Sequence, residues 1–430
     1  MGDADTIFAL GSGAGRGAVA LLRISGALSF SVLERVCGRV PAARRAAVRV
    51  VRDTSGEVLD RGVVLWLPGP GSYTGEDSGE LHVHGGRAVV RAVSDALIAA
   101  GCRPAEPGEF SRRAFLNGRL DLLEAEGVAD LVAAETEGQR RQALRLMDGA
   151  ASDALAGWAD RLRRVLAWQE ALIDFPDDDL PEETNRAVEA EVAALAAALE
   201  TAVGDAARGA RVREGVVVAV SGAPNVGKSS LVNALARREV AIVAASAGTT
   251  RDALEVGLEV GGVPVTLVDT AGLRETADPV EAEGVRRALT RAAAADIVME
   301  VADARVARER QGEDAGRLFV ANKMDLAWAP AGWLGVSALT GAGITALEKA
   351  LGEAVGQLTQ ASGSAVLSRA RHQAALGEAA AALQRAALVQ AEELRGEELR
   401  VAMRALGRIT GAVGVEDILD TVFLAFCIGK

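Results

Sequence analysis

The sequence is poor in cysteine, in aromatic residues and in long apolar runs. Three cysteines among 430 residues, Cys37, Cys102 and Cys427, are too few and too scattered for a disulfide framework or a four-ligand zinc site, and they fit a reducing compartment. Aromatic residues make up 3% of the chain, with a single Tyr, although half of it is apolar. Ala, Leu and Val carry that apolar fraction, which excludes wholesale disorder and favours helix-rich packing. No window reaches the ~18 uncharged apolar residues of a membrane helix. Asp3 and Asp5 stand where a secretory leader would be basic, and the loose myristoylation pattern at Gly2 has no polybasic patch after it. A cytoplasmic protein without a membrane partner is expected. Basic residues are in deficit, 47 Lys and Arg against 59 Asp and Glu, a net charge of −12 with His neutral. That balance argues against a chain whose main task is coating nucleic acid, and leaves only local segments such as Arg140, Arg141 and Arg145 for RNA.

The length allows two to four domains at roughly 100–200 residues each. Residues 1–118 alternate short β-like runs (6–10, 18–24, 48–52, 63–67, 80–83) with Gly and Pro punctuation and one helical stretch near 87–100, the pattern of an α+β domain. Gly13-Ala14-Gly15-Arg16-Gly17-Ala18 fits a dinucleotide fingerprint, but 19–24 reads as a strand rather than the helix such a turn must open. From 119 to 210, Ala and Leu recur at helical spacing, and the acidic stretch 174–179 reads as a solvated interhelix turn. An alternating β/α block follows over 211–361, and 362–430 returns to helical periodicity. The economical reading is a multidomain chain: an α+β N-terminal domain, a discontinuous all-helical domain, and an α/β domain inserted between its halves.

The strongest motif lies in that inserted block. Gly222-Ala223-Pro224-Asn225-Val226-Gly227-Lys228-Ser229-Ser230 follows the apolar run 216–221. Its glycines let backbone N–H groups curl around a phosphate, Lys228 supplies a point charge, and the Ser229 hydroxyl can ligate Mg²⁺. The run 265–268 ends in Asp269-Thr270-Ala271-Gly272, where a carboxylate reaches the Mg²⁺ and a Gly N–H the γ-phosphate. The run 318–321 ends in Asn322-Lys323-Met324-Asp325. A carboxylate at Asp325 accepts from both N1–H and the 2-amino group of guanine, which selects GTP over ATP. Ser337-Ala338-Leu339 is placed to buttress the base. Gly248-Thr249-Thr250 occupies the position of a switch loop, with Thr250 as the Mg²⁺ ligand. Four ordered motifs at strand ends make a P-loop GTPase domain of the Ras-like kind. Leu273 follows Gly272, so the water-orienting glutamine of Ras-type enzymes is absent; Glu275, Asp278, Glu281 and Glu283 are the nearby carboxylates.

With these motifs, Leu21-Leu22-Arg23-Ile24-Ser25-Gly26, Tyr73-Thr74-Gly75-Glu76-Asp77, His84-Gly85-Gly86, Pro107-Gly108-Glu109-Phe110, the segment 114–121 and the terminal Cys427-Ile428-Gly429-Lys430, the chain resembles the MnmE (TrmE) family of tRNA-modification GTPases, within the TrmE-Era-EngA-like superfamily, over essentially its whole length. The resemblance implies an N-terminal domain that dimerises and binds 5-formyl-tetrahydrofolate, and a flavoprotein partner, MnmG (GidA). With that partner it implies an aminomethyl-type modification at C5 of the wobble uridine of certain tRNAs. It implies potassium-stimulated hydrolysis, with K⁺ held by Asn225, Ala244, Ser246 and Thr249, and a nucleotide site that includes Ala245 and Ala247. It assigns water orientation to Glu281 and folate contacts to Arg23, Glu80, Arg119 and Lys430. Cys427 becomes a candidate nucleophile, though on its apolar run it reads alone as a buried hydrophobe. Without the family, Arg23 and Glu80 read as an ion pair on a β-surface. Two departures stand out: Arg119 replaces the usual Lys, and Val243-Ala244-Ala245-Ser246-Ala247-Gly248 lacks the usual Thr and Asp of that loop. A regulatory GTPase of the ribosome-assembly kind, binding RNA without modification chemistry, is the competing reading.

Overall fold

Alternation of apolar and polar residues sets the first sheet. Along Val19–Ser25, the residues Ala20, Leu22 and Ile24 turn inward while their neighbours do not. The computed structural model describes residues 5–13, 15–174, 182–238, 255–269, 290, 292–312, 314, 316–360, 365–412, 419, 422, 423, 426 and 429. The chain forms two units: Met1–Ala129 with Met147–Ser152 and Leu406–Lys430, and Asp130–Leu146 with Asp153–Ala405.

In the first unit, β1 (Ile7–Leu10), β2 (Val19–Ser25), β3 (Ala47–Arg52), β4 (Val58–Leu67), β5 (Ser78–His84) and β6 (Arg103–Pro104) form one sheet in the order β3-β4-β5-β2-β1-β6. All neighbours are antiparallel except β1 and β6. The strand β2 that follows residues 13–18 removes the dinucleotide reading, since no helix opens there. Helices α1 (Ser29–Cys37) and α2 (Arg87–Ala99) contribute Leu33 and Leu97 to a core with Leu22, Ile24 and Leu81. Cys37 and Cys102 lie in this core, where burial pushes both thiols up to about 12. They are inert structural hydrophobes. A second cluster joins Ile7 and Ala9 to Phe110 of α3 (Glu109–Leu116), with Tyr73 against it.

Residues 119–129 and the described residues from 406 onward group with the first unit. The reason is apolar burial: Leu122 and Ala125 of α4 (Leu122–Ala133) are covered by Leu419, Val422, Phe423 and Phe426. The tail then reaches β1, where the carbonyl of Leu10 lies 2.7 Å from the point at which a Cβ on Gly429 would sit.

A half-buried ionic network ties α3 to the sheet. Glu109 accepts from Arg103 Nη2 at 2.7 Å, from Arg113 Nη2 at 2.9 Å and from the Glu106 N–H at 2.9 Å; Arg113 also reaches Glu76 at 3.0 Å. Burial alone would raise the Glu109 carboxyl, but these donors outweigh it and hold it at about 2 against an ordinary 4.5. A depressed carboxylate stabilises the folded state fully above its unfolded value, and that contribution disappears as the pH falls from about 4.5 towards 2. Thermal midpoints measured across this window should fall less steeply for Glu109→Gln than for the wild type; parallel curves would refute the assignment.

The second unit holds most of α5 (Glu137–Met147), α6 (Ala150–Asp174) and α11 (Glu392–Thr410), whose remaining ends group with the first, and all of α7 (Glu182–Glu214) and α10 (Ala370–Leu388); these helices flank the inserted block. Helices α7 and α10 pack together, with Leu199, Ala202, Leu376 and Leu383 buried. At Gly209 a side chain would meet the Ala365 carbonyl at 2.0 Å, and Gln142 donates to the carbonyls of both Gly209 and Ala365. The two sequence-distant halves are thus stitched where the inserted block ends.

That block is a sheet of β7 (Val216–Ser221), β8 (Glu255–Val260), β9 (Val263–Asp269), β10 (Ile297–Asp303), β11 (Arg317–Asn322) and β12 (Leu334–Gly335), in the order β12-β11-β10-β7-β9-β8. Only β8 runs antiparallel to its neighbour. Its core includes Val218, Leu267, Met299, Val320 and, from α8 (Lys228–Arg238) and α9 (Ile344–Thr359), Leu231 and Leu347. Because five strands are parallel, the motifs that follow their carboxyl ends converge on one edge, the position that ligands take in open α/β sheets.

Candidate functional site

The phosphate loop leaves β7 and turns into α8 through backbone angles that few side chains permit. Gly222 has φ +141°, and a side chain there would lie 2.0 Å from the Val301 carbonyl; at Gly227, φ +94°, it would lie 2.4 Å from Asn322 Nδ2. Lys228 opens α8 and is 4% exposed; its Nζ donates to the carbonyls of Gly222 and Ala223, both at 2.8 Å. This places a positive charge inside the turn of the loop, beside the helix N-terminus.

At the end of β9, Asp269 Oδ2 accepts from Ser229 Oγ at 2.6 Å. A paired hydroxyl and carboxylate is an oxygen donor set suited to Mg²⁺, which supplies charge neutralisation at the phosphates when bound. At the end of β11, Asn322 Nδ2 donates to the Val226 carbonyl at 2.9 Å and its Oδ1 accepts from the Ala338 N–H at 3.0 Å. One side chain therefore holds the phosphate loop and the loop after β12 together. Asp325 accepts from Ser337 Oγ at 2.6 Å, and the Met324 N–H bonds the Val336 carbonyl at 2.9 Å. Ser230, Asn233, Ala338, Leu339 and Thr340 line a pocket beside these loops.

In the first unit, Arg23 and Glu80 are register partners across β2 and β5 and form an ion pair at 3.2 Å, as their residue types alone predict. The Arg23 guanidinium lies 5.5 Å from the Tyr73 ring centre and 5.9 Å from that of Phe110, and Glu80 also meets His82 at 3.1 Å. The exposed Arg119 brings its side-chain stem against Gly75, two residues after Tyr73. These groups and the tail at Gly429 all lie in the first unit.

A family model described as the MnmE helical domain matches residues 122–427, and one described as the GTP-binding protein TrmE N-terminus matches residues 6–119. A protein named tRNA modification GTPase MnmE from Gluconacetobacter diazotrophicus is 55% identical, with 99% of this chain and 98% of the relative covered. Proteins of the same name from Granulibacter bethesdensis and Rhodospirillum rubrum are 51% and 52% identical, each with 99% of both chains covered. The chain belongs to the MnmE family of tRNA modification GTPases.

In this MnmE-family chain the guanine-nucleotide motifs on β7, β9 and β11 and after β12 are brought to one edge of the sheet. Thr270, Ala271, Gly272, Glu281, the loop Ala244 to Thr250, Cys427 and Lys430 lie outside the described residues. Sequence reasoning missed Asp303, which ends β10 and bonds Lys323; the only signal was an acidic residue closing an apolar strand. The basic segment expected to favour RNA is partly neutralised, since Arg140 and Arg141 both bond Glu137 at 2.7 Å and hold its carboxyl down at about 2. Among the described residues, no helix is long and apolar enough to cross a membrane.

Proposed function

We propose that this protein is a potassium-stimulated GTPase that, as a homodimer and with the flavoprotein MnmG (GidA), carries out carboxymethylaminomethyl-type modification at C5 of the wobble uridine of certain tRNAs. A formyl- or methylene-tetrahydrofolate is the one-carbon donor. The observation that carries the reading is the presence in one MnmE-family chain of two chemically distinct sites. One is the guanine-nucleotide edge of the second unit; the other is the Arg23–Glu80 pair of the first, stacked near Tyr73 and Phe110. A regulatory switch needs only the first of these.

The backbone carbonyl of Asn225 is taken by Lys323, which leaves its side-chain amide oxygen as the group it offers to K⁺. A cation there offsets charge developing between the β- and γ-phosphates. Glu281 orients the attacking water in place of the missing glutamine. Glu80 suits the amino-pyrimidine edge of a folate, and Arg23, Arg119 and Lys430 suit its carboxylates. Cys427 is kept as a candidate nucleophile of the modification step.

GTP turnover in potassium against sodium, with Glu281→Ala beside the wild type, tests the hydrolytic part. Potassium is expected to give at least about tenfold faster turnover, and the variant to lose about 10²-fold. Equal rates in sodium, or an unimpaired variant, would refute it. Failure to bind 5-formyl-tetrahydrofolate, or normal wobble-uridine modification in cells lacking the protein, would favour the regulatory switch.

A further inference from the structure

Lys323 and Asn225 belong to loops that follow different strands, β11 and β7, and one ammonium group joins them. Lys323 Nζ donates to the Asn225 carbonyl at 2.8 Å and to Asp303 Oδ2 at 3.0 Å. Asp303 ends β10, the strand between β7 and β11, and is 7% exposed. Arg305 grips the same carboxylate from its other side: Nη2 donates to Oδ2 at 2.7 Å, Nε to Oδ1 at 3.0 Å, and its backbone N–H to Oδ1 at 3.0 Å. The Arg305 guanidinium, its N–H and Lys323 hold the Asp303 carboxyl well below the usual range, so a full negative charge faces the ammonium at neutral pH. Both residues joined by that ammonium sit in left-handed backbone, Asn225 at φ +63° and Lys323 at φ +67°, conformations that non-glycine residues keep only where surrounding bonds enforce them.

We propose that Asp303, backed by Arg305, is a positioning residue for guanine-nucleotide binding: it aims the Lys323 ammonium at the Asn225 carbonyl and thereby fixes the spacing between the base-recognition loop and the phosphate loop. An ammonium has three donors; two are used within the protein, and the third is left for the nucleotide. Without Asp303, Lys323 keeps a four-carbon flexible stem and one neutral acceptor, and the two loops lose their charged tie. The inference rests on reading 222–230 and 322–325 as the guanine-nucleotide site.

Release of a fluorescent GDP from the full-length protein, followed by stopped-flow, tests it. Asp303→Ala is expected to release GDP about tenfold faster, and Asp303→Asn, which keeps an acceptor but loses the charge, by an intermediate factor. Arg305→Ala should accelerate release at most about threefold, since the exposed guanidinium is lost while the backbone at 305 still donates. The decisive arm is the double variant Asp303→Ala with Lys323→Ala, expected to release GDP no faster than Lys323→Ala alone, because the aspartate acts through the lysine. Wild-type release from Asp303→Ala, or effects that multiply in the double variant, would overturn the positioning role. Should Asp303→Ala fail to fold, Asp303→Asn in the same cycle with Lys323→Ala decides between the same two outcomes. Failure of the wild type itself to bind GDP would overturn the site reading instead, and is seen in the first control.

Discussion

Replacement of Lys228 by Ala is expected to lower GTP turnover at saturating GTP by about 10³-fold, the scale of losing one preorganised charged donor at a reacting centre. The ammonium is almost wholly enclosed and is held by two carbonyls of the loop it must serve. In that environment its interaction with a triphosphate is screened far less than at a surface. Truncation removes the one positive side chain among the described residues of the phosphate loop, 222–230, and leaves the Gly222 and Ala223 carbonyls turned towards an anionic ligand. Lys228→Arg should not restore activity. A planar guanidinium cannot take the place of a compact ammonium where Gly222 and Gly227 already press on Val301 and Asn322 with no room for a methyl group. Phosphate release by the two variants measures this; retention of more than about a tenth of wild-type turnover by Lys228→Ala would remove the lysine from the chemistry.

Much of the nucleotide edge was legible because the physics that builds it is local. The strands β7, β9 and β11 sit inside a parallel sheet, so they read as apolar runs, and each is followed by a loop whose residue types are fixed by phosphate, Mg²⁺ or base. What was not legible depends on partners far along the chain. β10 is masked in the sequence because Glu300 interrupts its apolar run, and Asp303 carries no motif; its 3.0 Å contact with Lys323, twenty residues later, gives it meaning. Apolar residues toward the end of the chain recur at helical spacing, but periodicity does not say which surface they cover; Leu419, Val422, Phe423 and Phe426 cover Leu122 and Ala125 of α4. Arg140 and Arg141 read as basic surface by residue type, but Glu137, three and four positions earlier on the same helix, offsets part of their charge, a pairing that the spacing itself carries.

Asp325→Asn is expected to weaken GTP binding by about 10³-fold and to shift preference towards the xanthine nucleotide. Guanine presents two donors, N1–H and the 2-amino group, and a carboxylate accepts both. An amide accepts one and turns its own N–H towards the other, leaving two donors opposed. Xanthine carries a carbonyl oxygen at position 2, which pairs with that amide donor, so the same substitution that repels guanine suits xanthine. The surrounding structure keeps the test clean. Ser337 Oγ donates to Asp325 Oδ1 and in turn accepts from the Thr340 N–H at 3.2 Å, and an asparagine Oδ1 can accept that hydroxyl equally well. Asn322 continues to bridge Val226 and Ala338 whichever residue occupies position 325. The loops therefore stay joined, and only the edge facing the base changes its donor pattern. Competition of GDP and XDP for the wild type and the variant reads the exchange directly: an asparagine variant that still prefers GDP would mean that Asp325 does not read the base.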